Sequence, residues 1–454
     1  MSTLARLFGD LIARIRKPAS GAAQEQAAGA AAEADALFRR CVQLADSAQL
    51  DLACDCYRRL LELHPRHAKA ANNLGVLRQR RGELAAATAC FNEAARIDPG
   101  LAEPHVNLGN LMDIQGDSDA AARHYRRALQ IDPGYAHAHC CLAQALLAMG
   151  QYQTGWEEYE WRWRSDDPKF RLPSLPQPLW DGSQDVAGKR VLLHAEQGYG
   201  DAIQFIRYAA LMAARGARVI VICDAALRSL FRTAPGVEAV LELGEVLPDF
   251  AYHAPFMSLP RGFGTTVETI PSQVPYLFPD REAVEAWRAR LAGHGRRLNI
   301  GLAWAGRPSF VAAKMKSCPL ERLAQLLRTP DCAFFSLQKG EAAADLKGLD
   351  AGDSPVVDYT AGLRDFGDTA ALVAALDIVI TVDTAAAHLA GALGKPVWVL
   401  LAAVPDWRWL PQAGALKWYP TALLFRQQAA GEWGSVVDEV EQALRRRAGA
   451  RAEP

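Results

Sequence analysis

The sequence has no apolar run long enough to cross a lipid bilayer and no excess of charge of either sign. A transmembrane helix needs about 20 consecutive apolar residues, so none is predicted. The 50 Lys and Arg residues are balanced by 51 Asp and Glu residues, which leaves a net charge of -1. A nucleic-acid partner requires a basic face, and this balance argues against one. The 454 residues, half of them apolar, predict two or three domains with buried cores.

Cysteine patterns typical of metal sites are also absent. None of the nine cysteines belongs to the paired Cys-x-x-Cys groups that hold zinc. Cys54 and Cys56 are separated by one residue, and Cys140 and Cys141 are adjacent. These arrangements favour reduced thiols packed inside a cytosolic protein.

The first 31 residues predict a helix followed by a linker. Apolar residues between positions 4 and 15 fall on one helical face, but Asp10 and several basic residues interrupt the apolar run that a signal peptide needs. One interpretation is an interfacial helix over residues 4–17 that makes peripheral contact with an anionic inner membrane. The other is a helix packed on its own protein or on a second subunit. Residues 18–31, rich in Ala, Gln and Gly, predict a flexible linker.

A period of 34 residues runs through the first third of the chain. Each period combines a proline, a glycine and an aromatic residue at constant offsets. The aromatic members are Tyr57, Phe91, Tyr125 and Tyr159. The pattern predicts helix–turn–helix units, such as helices over 68–81 and 84–97 joined at Gly82, and it resembles the tetratricopeptide repeat over residues 32–167.

The resemblance to tetratricopeptide repeats implies a concave groove that binds a peptide or partner protein. Asn72, Asn73 and Asn107 lie on the first helices, which line that groove in the family, and are candidates for binding a ligand's backbone. The alternative is that they are solvated polar residues. Docking or dimerisation is an equally consistent role for four repeats. The aromatic-rich end of the last unit predicts burial against the following domain; its members are Trp156, Tyr159, Trp161 and Trp163.

From about residue 188 the pattern changes to alternating strands and helices. Short apolar strands are predicted at 190–195 and 217–223, and a second series at 298–304, 333–337, 377–382 and 397–401. This alternation predicts parallel sheets with crossover helices. We therefore expect two doubly wound, Rossmann-like lobes, over 188–296 and 297–445, with ligands bound at the carboxyl ends of their strands.

The most informative local motif follows the strand that ends at residue 382. Asp383 and Thr384 precede a helix that begins with the small residues Ala385 and Ala386. Free N–H groups and the dipole of such a helix start favour a diphosphate. His388 lies one turn beyond Thr384 and is a candidate for contact with a phosphate or sugar hydroxyl. The alternative is that Asp383 and Thr384 cap the helix and His388 is a surface residue.

A second motif is the loop from Gln197 through Gly198 and Gly200 to Asp201. The third glycine of a dinucleotide-binding fingerprint is missing, so an NAD site is not predicted. Asp201 fits two interpretations, an N-cap of the following helix and a carboxylate that acts as general base in the cleft.

The two motifs, in this order, resemble the ADP-heptose:lipopolysaccharide heptosyltransferases of glycosyltransferase family 9, which have the GT-B fold. The resemblance covers roughly residues 188–440. Other matching segments are 301–306, 316–320, 405–409, 418–420 and 424–427. The last three segments are similar to a subgroup of this family that carries N-terminal tetratricopeptide repeats.

This resemblance implies an inverting, metal-independent transfer of a sugar from a nucleoside diphosphate, with no cofactor. Asp201 would be the base for the acceptor hydroxyl, and Lys316 would offset charge on the leaving diphosphate. Residues 383–388 would hold the donor in the second lobe. The first lobe would bind the acceptor. The acceptor or loop candidates are Gln197, Gly198 and Gly200 of this lobe and Trp304 at the start of the second lobe. No Asp-x-Asp metal motif occurs within residues 188–445, in agreement with this chemistry.

One departure from the family leaves alternatives open. Related sequences carry Asn, His and Asp between Gly306 and Lys316, whereas this chain has none of them over 307–313. A non-catalytic repeat scaffold with a degenerate nucleotide-sugar domain is therefore the first alternative. The second is a protein O-linked N-acetylglucosaminyltransferase, which would need a catalytic histidine in the first lobe, such as His194 or His253. Three tryptophans are expected to pack between the lobes rather than stack on a sugar: Trp407, Trp409 and Trp418.

Overall fold

The computed structural model describes residues 21–165, 167, 170–306, 315–349, 355–410 and 416–450. The predicted membrane-contacting helix over residues 4–17 and the altered 307–313 segment lie outside the described residues. The linker prediction is wrong from residue 21 onward, because the first described helix begins at Gly21. Alanine, glutamine and glutamate are strong helix formers and dominate this stretch, which explains the difference.

Helical pairs make up the first third of the chain, as the 34-residue period predicts. The helices are α1 (Gly21–Asp46), α2 (Leu50–Leu63), α3 (Ala68–Arg80), α4 (Leu84–Ile97), α5 (Glu103–Ile114), α6 (Ser118–Ile131), α7 (Ala136–Ala148) and α8 (Tyr152–Tyr159). A 3-10 turn continues α8 over Glu160–Arg164. Contacts divide the chain into two compact units, one up to Met112 with Arg123–Tyr135, the other Asp113–Ala122 with everything from Ala136 onward. The last helical pair therefore belongs to the same unit as the α/β region.

Asparagines of the first unit bond to one another. Asn107 Nδ2 donates to Asn72 Oδ1 at 2.8 Å, and Asn72 Nδ2 donates to Asn73 Oδ1 at 3.3 Å. Asn73 Nδ2 in turn donates to the Tyr57 hydroxyl at 3.1 Å. Because Asn72 is also buried, the interpretation of these residues as merely solvated is wrong for Asn72, whose amide belongs to a polar network.

A disulfide joins Cys41 of α1 to Cys56 of α2, whose Cα atoms are 5.4 Å apart. The expectation that every cysteine is a reduced thiol is therefore wrong at this pair. The other seven cysteines, all among the described residues, are present as thiols. Residues 15 positions apart meet here because the two helices pair across a short turn, which cysteine spacing alone does not reveal.

Two parallel sheets form the lobes of the second unit, so the predicted doubly wound architecture is confirmed. The first lobe contains β1 (Arg190–His194), α9 (Tyr199–Phe205), α10 (Tyr208–Ala214), β2 (Arg218–Cys223), α11 (Ala225–Phe231), β3 (Val237–Glu242), β4 (Tyr252–Pro255) and α12 (Leu259–Gly262). After α13 (Arg281–Ala292), the second lobe contains β5 (Leu298–Ala303), α14 (Leu320–Leu323), β6 (Cys332–Ser336), β7 (Val356–Asp358), α15 (Phe366–Ala375), β8 (Ile378–Val382), α16 (Ala385–Ala392), β9 (Val397–Leu401), β10 (Ala422–Arg426) and α17 (Gly434–Ala450). The strand order is β3-β2-β1-β4 in the first sheet and β10-β9-β8-β5-β6-β7 in the second.

The central strands of the second sheet consist of apolar runs and are buried. Every residue of β8 and β9 is buried, as expected for parallel strands covered on both faces. Trp156 and Tyr159 of α8 belong to the same apolar core as the lobes, so the predicted burial of this aromatic-rich segment is confirmed for these two rings. In the described part of the chain, no helix is both long and apolar enough to span a membrane.

Candidate active site

Polar side chains meet at the carboxyl ends of the two sheets. They come from the first turn of α9, from the segment just before α14, from the turn between β8 and α16, and from the segment after β9 that contains the 3-10 turn Trp407–Trp409. Doubly wound sheets bind their ligands at this edge, because backbone groups and helix starts converge there.

Asp201, in the first turn of α9, makes two contacts. Its Oδ2 accepts a hydrogen bond from the Gly198 backbone N–H at 3.2 Å, and its Oδ1 accepts one from Arg408 Nη2 at 2.6 Å. In the first contact Asp201 closes a capping box whose N-cap is Gly198, so the interpretation of Asp201 as the N-cap is wrong. The second contact reaches the other lobe, and the role of Asp201 as general base stays a prediction. Burial raises the pKa of Asp201, while Arg408 acts in the opposite direction. A partly buried carboxylate with a raised pKa is suited to accept a proton.

Arg408 is the centre of the cluster. Its side chain is only 10% exposed. Nη1 donates to Asp406 Oδ1 at 2.9 Å, and Nε donates to Gln204 Oε1 at 2.9 Å. The guanidinium also lies 4.3 Å from the centre of the Trp407 ring. Arg408 thus links the first lobe, through Asp201 and Gln204, to the second.

Lys316 and Asp383 form the other half of the cluster. Lys316 Nζ lies 2.6 Å from Asp383 Oδ2 and 3.9 Å from Asp406 Oδ2. Asp383 Oδ1 accepts a further hydrogen bond from Trp409 Nε1 at 2.7 Å. Burial by itself lowers the pKa of Lys316, but Asp383 and Asp406 outweigh it and raise that pKa. The ammonium group is therefore held in its charged form.

The cluster's charges are already paired. Burial opposes ionisation of Asp406, but Arg408 and Lys316 outweigh it and lower the pKa of this carboxyl. Three carboxylates, Asp201, Asp383 and Asp406, share the two cations. An incoming diphosphate must therefore compete with carboxylates for Lys316 and Arg408.

Thr384 is the N-cap of α16. Its Oγ1 accepts from the Ala386 backbone N–H at 3.3 Å. Capping is thus observed for Thr384, whereas the Asp383 carboxylate bonds Lys316 and Trp409 instead. Ala385 and Ala386 add only methyl groups at this helix start, so an anion could approach the backbone beside Lys316.

His388 is buried, so the interpretation of this residue as a surface side chain is wrong. Its Nδ1 lies 2.9 Å from the Tyr419 hydroxyl, and its ring centre is 5.1 Å from that of Trp409. Burial lowers the pKa of His388 to about 4. A neutral imidazole contacts a phosphate or a sugar hydroxyl through a hydrogen bond rather than through charge, and this contact stays a prediction for His388.

Gly200 lies against the His388 ring, and this contact yields a prediction. A Cβ on Gly200 would lie 2.7 Å from His388 Cδ2. The imidazole cannot move away freely because it is held by Tyr419. We therefore expect Gly200→Ala to destabilise the protein by about 2 kcal/mol through overpacking, even though alanine is the better helix former. Gly362→Ala, where a Cβ has nothing within 4 Å, is the matched control. Thermal unfolding of both variants provides the measurement, and equal midpoints would contradict the close approach of the lobes at Gly200.

Trp304 does not join the cluster. Its side chain is 1% exposed and belongs to the core of the second lobe. Its Nε1 donates to Asp345 Oδ2 at 3.0 Å, and its backbone N–H donates to Gln338 Oε1 at 3.0 Å. Its assignment as an acceptor-side candidate is not supported, because Trp304, which follows β5, has its ring in the apolar core of the second lobe.

Gln197 and Gly198 precede Asp201 in the loop. Gln197 has a φ of 63°, a left-handed conformation that costs energy for a residue with a Cβ. Its side-chain amide exchanges hydrogen bonds with the Tyr159 hydroxyl, so it contacts the last repeat helix. Gly198 contributes its backbone N–H to Asp201.

The tryptophans of the second lobe serve packing, as predicted. Trp407, Trp409 and Trp418 are 6%, 0% and 0% exposed. Trp418 Nε1 donates to the Tyr152 hydroxyl at 3.0 Å. These rings fix the segment that carries Asp406 and Arg408, and they do not offer an open face to a sugar.

The two histidines considered for the second alternative bond each other. His194 Nε2 lies 3.2 Å from His253 Nδ1, and both side chains are buried. Burial lowers the pKa of His194 to about 3. A pair enclosed in this way is poorly placed to meet a substrate, so the required catalytic histidine of the first lobe is not supported.

Comparisons with known proteins give matches to both parts of the chain. Residues 114–150 match the family model described as a TPR repeat, so the predicted tetratricopeptide repeats are confirmed over this stretch. Protein FlbA of Caulobacter vibrioides is 30% identical over 330 residues, which cover 67% of this chain and 54% of FlbA. The chain thus spans about half the length of this relative.

Similar solved structures include two that cover the α/β region. The E. coli ADP-heptose LPS heptosyltransferase II is 15% identical, with a TM-score of 0.44, and the match covers 58% of this chain and 99% of that enzyme. A glycosyl transferase family 9 protein of Veillonella parvula is 13% identical, with a TM-score of 0.42, and the match covers 58% of this chain and 98% of that protein.

Proposed function

We propose that this chain transfers a sugar from a nucleoside diphosphate to an acceptor hydroxyl in the cleft between Asp201 and Asp383. One observation carries the proposal. A partly buried carboxylate of the first lobe and a lysine beside a helix start of the second lobe belong to one cluster, bridged by Arg408 and Asp406. Base, cation and helix start are the groups that glycosyl transfer from a diphosphate requires.

The donor would bind on the second lobe. Its diphosphate fits the start of α16, where Thr384, Ala385 and Ala386 present backbone and small side chains. Lys316 and Arg408 would exchange carboxylate partners for phosphate oxygens as the donor enters. The enclosed position of Lys316 strengthens this attraction compared with an exposed lysine.

The reaction would proceed by direct displacement. Asp201 accepts the proton of the acceptor hydroxyl as its oxygen bonds to the anomeric carbon of the sugar. The bond from that carbon to the diphosphate oxygen breaks, and the configuration at the carbon inverts. Lys316 and Arg408 then balance the charge on the leaving diphosphate, a task that needs no metal ion or other cofactor.

The repeats would recruit a protein partner or acceptor through their concave face. Asn72 is buried and uses its amide within the repeats, so the partly exposed Asn73 and Asn107, which it holds in place, are the candidates for contacting a peptide backbone. Self-association through the repeats is the alternative. A cytoplasmic location, with peripheral membrane contact by residues 4–17, completes the proposal.

A thermal-shift screen of the full chain against ADP, GDP, UDP and their sugar conjugates tests the donor site. One nucleotide is expected to stabilise the protein in a concentration-dependent way, by about 2.7 kcal/mol at a hundredfold excess over its Kd. Lys316→Ala is expected to lower the nucleotide affinity at least about tenfold, and thus to reduce the thermal shift, because a charge-assisted contact to phosphate is lost.

Lys347→Ala, an exposed lysine of the same lobe, is the control and should bind normally. If no nucleotide shifts the midpoint of the folded parent protein, the non-catalytic scaffold becomes the better explanation.

A further inference from the structure

The last repeat helix contacts both sides of the candidate active site. Tyr159, near the end of α8, bonds Gln197 of the loop that leads to Asp201. Tyr152, at its start, accepts a hydrogen bond from Trp418 Nε1. A repeat whose task was limited to stacking on its neighbours would not need polar contacts with both lobes.

The aromatic position of the repeat explains what is unusual about Tyr159. Tyr57, Phe91 and Tyr125 occupy the equivalent position of the preceding units, and all three rings are buried. Since phenylalanine serves in the second unit, packing of the repeat needs the ring and not the hydroxyl. In the last unit, the hydroxyl serves a contact outside the repeat.

That contact is with a strained residue. The Tyr159 hydroxyl donates to Gln197 Oε1 at 3.1 Å or accepts from Gln197 Nε2 at 2.9 Å. Gln197 has a φ of 63°. A non-glycine residue keeps such a conformation only when its surroundings hold it there, and such strain is concentrated at functional sites. Gln197 lies four positions before Asp201.

A second anchor from the same segment holds the preceding residue. Arg162 is fully buried, and its Nη2 and Nε donate to Glu196 Oε1 and Oε2 at 3.0 and 3.3 Å. Glu196 also accepts from the Met257 backbone N–H at 2.9 Å. The bidentate geometry fixes the carboxylate in orientation as well as in position. Consecutive loop residues are thus held by consecutive turns of the last repeat.

The other end of α8 supports the Arg408 segment. The Trp156 and Trp407 ring centres are 5.3 Å apart in an edge-to-face arrangement. Trp407 directly precedes Arg408, which bonds Asp201. The same helix therefore supports Asp201 from its own loop and its cationic partner from the opposite lobe.

We infer that the last repeat helix is a built-in part of the active site, with Tyr159 as a positioning residue that holds the 196–201 loop so that Asp201 faces its substrate. The inference rests on the proposed glycosyl transfer for its catalytic consequence. Its structural part, the dependence of the loop on the Tyr159 hydroxyl, stands independently of that function.

Amide hydrogen exchange of the full chain tests the structural part. Tyr159→Phe keeps the ring and removes the hydroxyl. We expect exchange in the peptide covering residues 196–202 to become about tenfold faster, as local opening becomes easier, without a comparable change elsewhere in the lobes. Tyr57→Phe, which removes the hydroxyl at the equivalent position of the first unit, should leave that peptide unchanged. Unchanged protection of the loop in Tyr159→Phe would overturn the inference.

A double-variant comparison tests whether the hydroxyl acts through Gln197. Gln197→Gly removes the amide partner and tolerates the positive φ. Tyr159→Phe should therefore add nothing to loop exchange in the Gln197→Gly background, because the two residues act as one pair. Additive effects would show that the hydroxyl acts elsewhere and would contradict the assignment.

The catalytic part is measured with the sugar conjugate of whichever nucleotide among ADP, GDP and UDP gives the largest thermal shift. Tyr159→Phe is expected to lower kcat for nucleoside diphosphate release by about tenfold, since misplacement of a catalytic group costs rate. The Kd of the nucleotide, bound on the opposite lobe, should stay within about twofold. A loss of affinity with unchanged kcat would contradict a positioning role. If the parent protein releases no nucleotide, glycosyl transfer fails, and the exchange result still decides the role of Tyr159 in the loop.

Discussion

Asp201→Asn is expected to reduce sugar transfer by about a thousandfold, within the range of a lost general base, while nucleotide affinity stays nearly unchanged. The amide is isosteric with the carboxylate, and its oxygen can still accept from the Gly198 N–H, so the helix cap survives. What disappears is the charge that pairs with Arg408 and the ability to take the acceptor's proton. Initial rates and nucleotide Kd, measured on the same preparation, separate the two effects.

Asp224→Asn is the matched control, because Asp224 caps α11 of the same lobe through a hydrogen bond from the Ala226 N–H at 2.9 Å. It has no contact with Arg408 or Lys316 among those found in the described residues. This variant should retain full activity. Some loss of stability is expected because the pair with Arg408 is broken. If Asp201→Asn instead loses nucleotide affinity in proportion to rate, Asp201 has a structural role and the proposed base lies elsewhere.

The pH profile gives an independent test of the same residue. Transfer requires Asp201 as a carboxylate, so activity must fall as pH drops through its pKa. Burial raises that pKa above the value of about 3.9 for an exposed aspartate. The acid limb of the rate profile is therefore expected at a higher pH than for an unperturbed carboxylate, and it should disappear from the residual activity of Asp201→Asn.

Regular elements were predictable because their signals repeat. The 34-residue period predicts helices over 68–81 and 84–97, and the structure has Ala68–Arg80 and Leu84–Ile97. The strand predicted at 397–401 matches β9, since a short run of buried apolar residues followed by turn residues is a strong signal. The strand β7 spans only three residues and has no comparable signal.

The contacts and burial of the site residues could not be predicted, because they depend on residues that are distant in the sequence. Asp201 was a candidate from its motif, but Arg408 lies 207 positions further along the chain in an irregular segment, and no local pattern marks it as the partner. His388 was placed one turn beyond Thr384, yet its burial follows from the close approach of Gly200. The Tyr159 hydroxyl had a visible signal, since one repeat position holds phenylalanine in the second unit and tyrosine in the others.

Arg408→Gln is expected to produce the second large effect, on stability and on pH dependence together. It leaves Asp201 and Asp406 without the cation that contacts both at 2.6 and 2.9 Å. Breaking one partner of a buried ion pair costs about 3–5 kcal/mol. This loss of stability should be smaller in acid. Because the pKa of Asp406 is lowered in the folded state, its carboxylate stabilises the fold at pH values above its unfolded pKa of about 3.9. That contribution is lost as the pH falls through the pKa of the folded state. Denaturant unfolding at neutral and acidic pH measures the difference.

The same substitution should move the acid limb of activity to higher pH, because Arg408 opposes the burial that raises the pKa of Asp201. Arg408→Lys keeps the charge but loses the forked guanidinium that contacts two carboxylates. We therefore expect this variant to have intermediate stability and a smaller shift of the acid limb. Arg364→Gln serves as the control: Arg364 pairs with Asp368 on the surface with its side chain 86% exposed, and such pairs contribute at most about 1 kcal/mol. A destabilised Arg408→Gln protein whose residual activity keeps the parental acid limb would mean that Arg408 joins the lobes without tuning Asp201, and the base would then have to be sought outside this cluster.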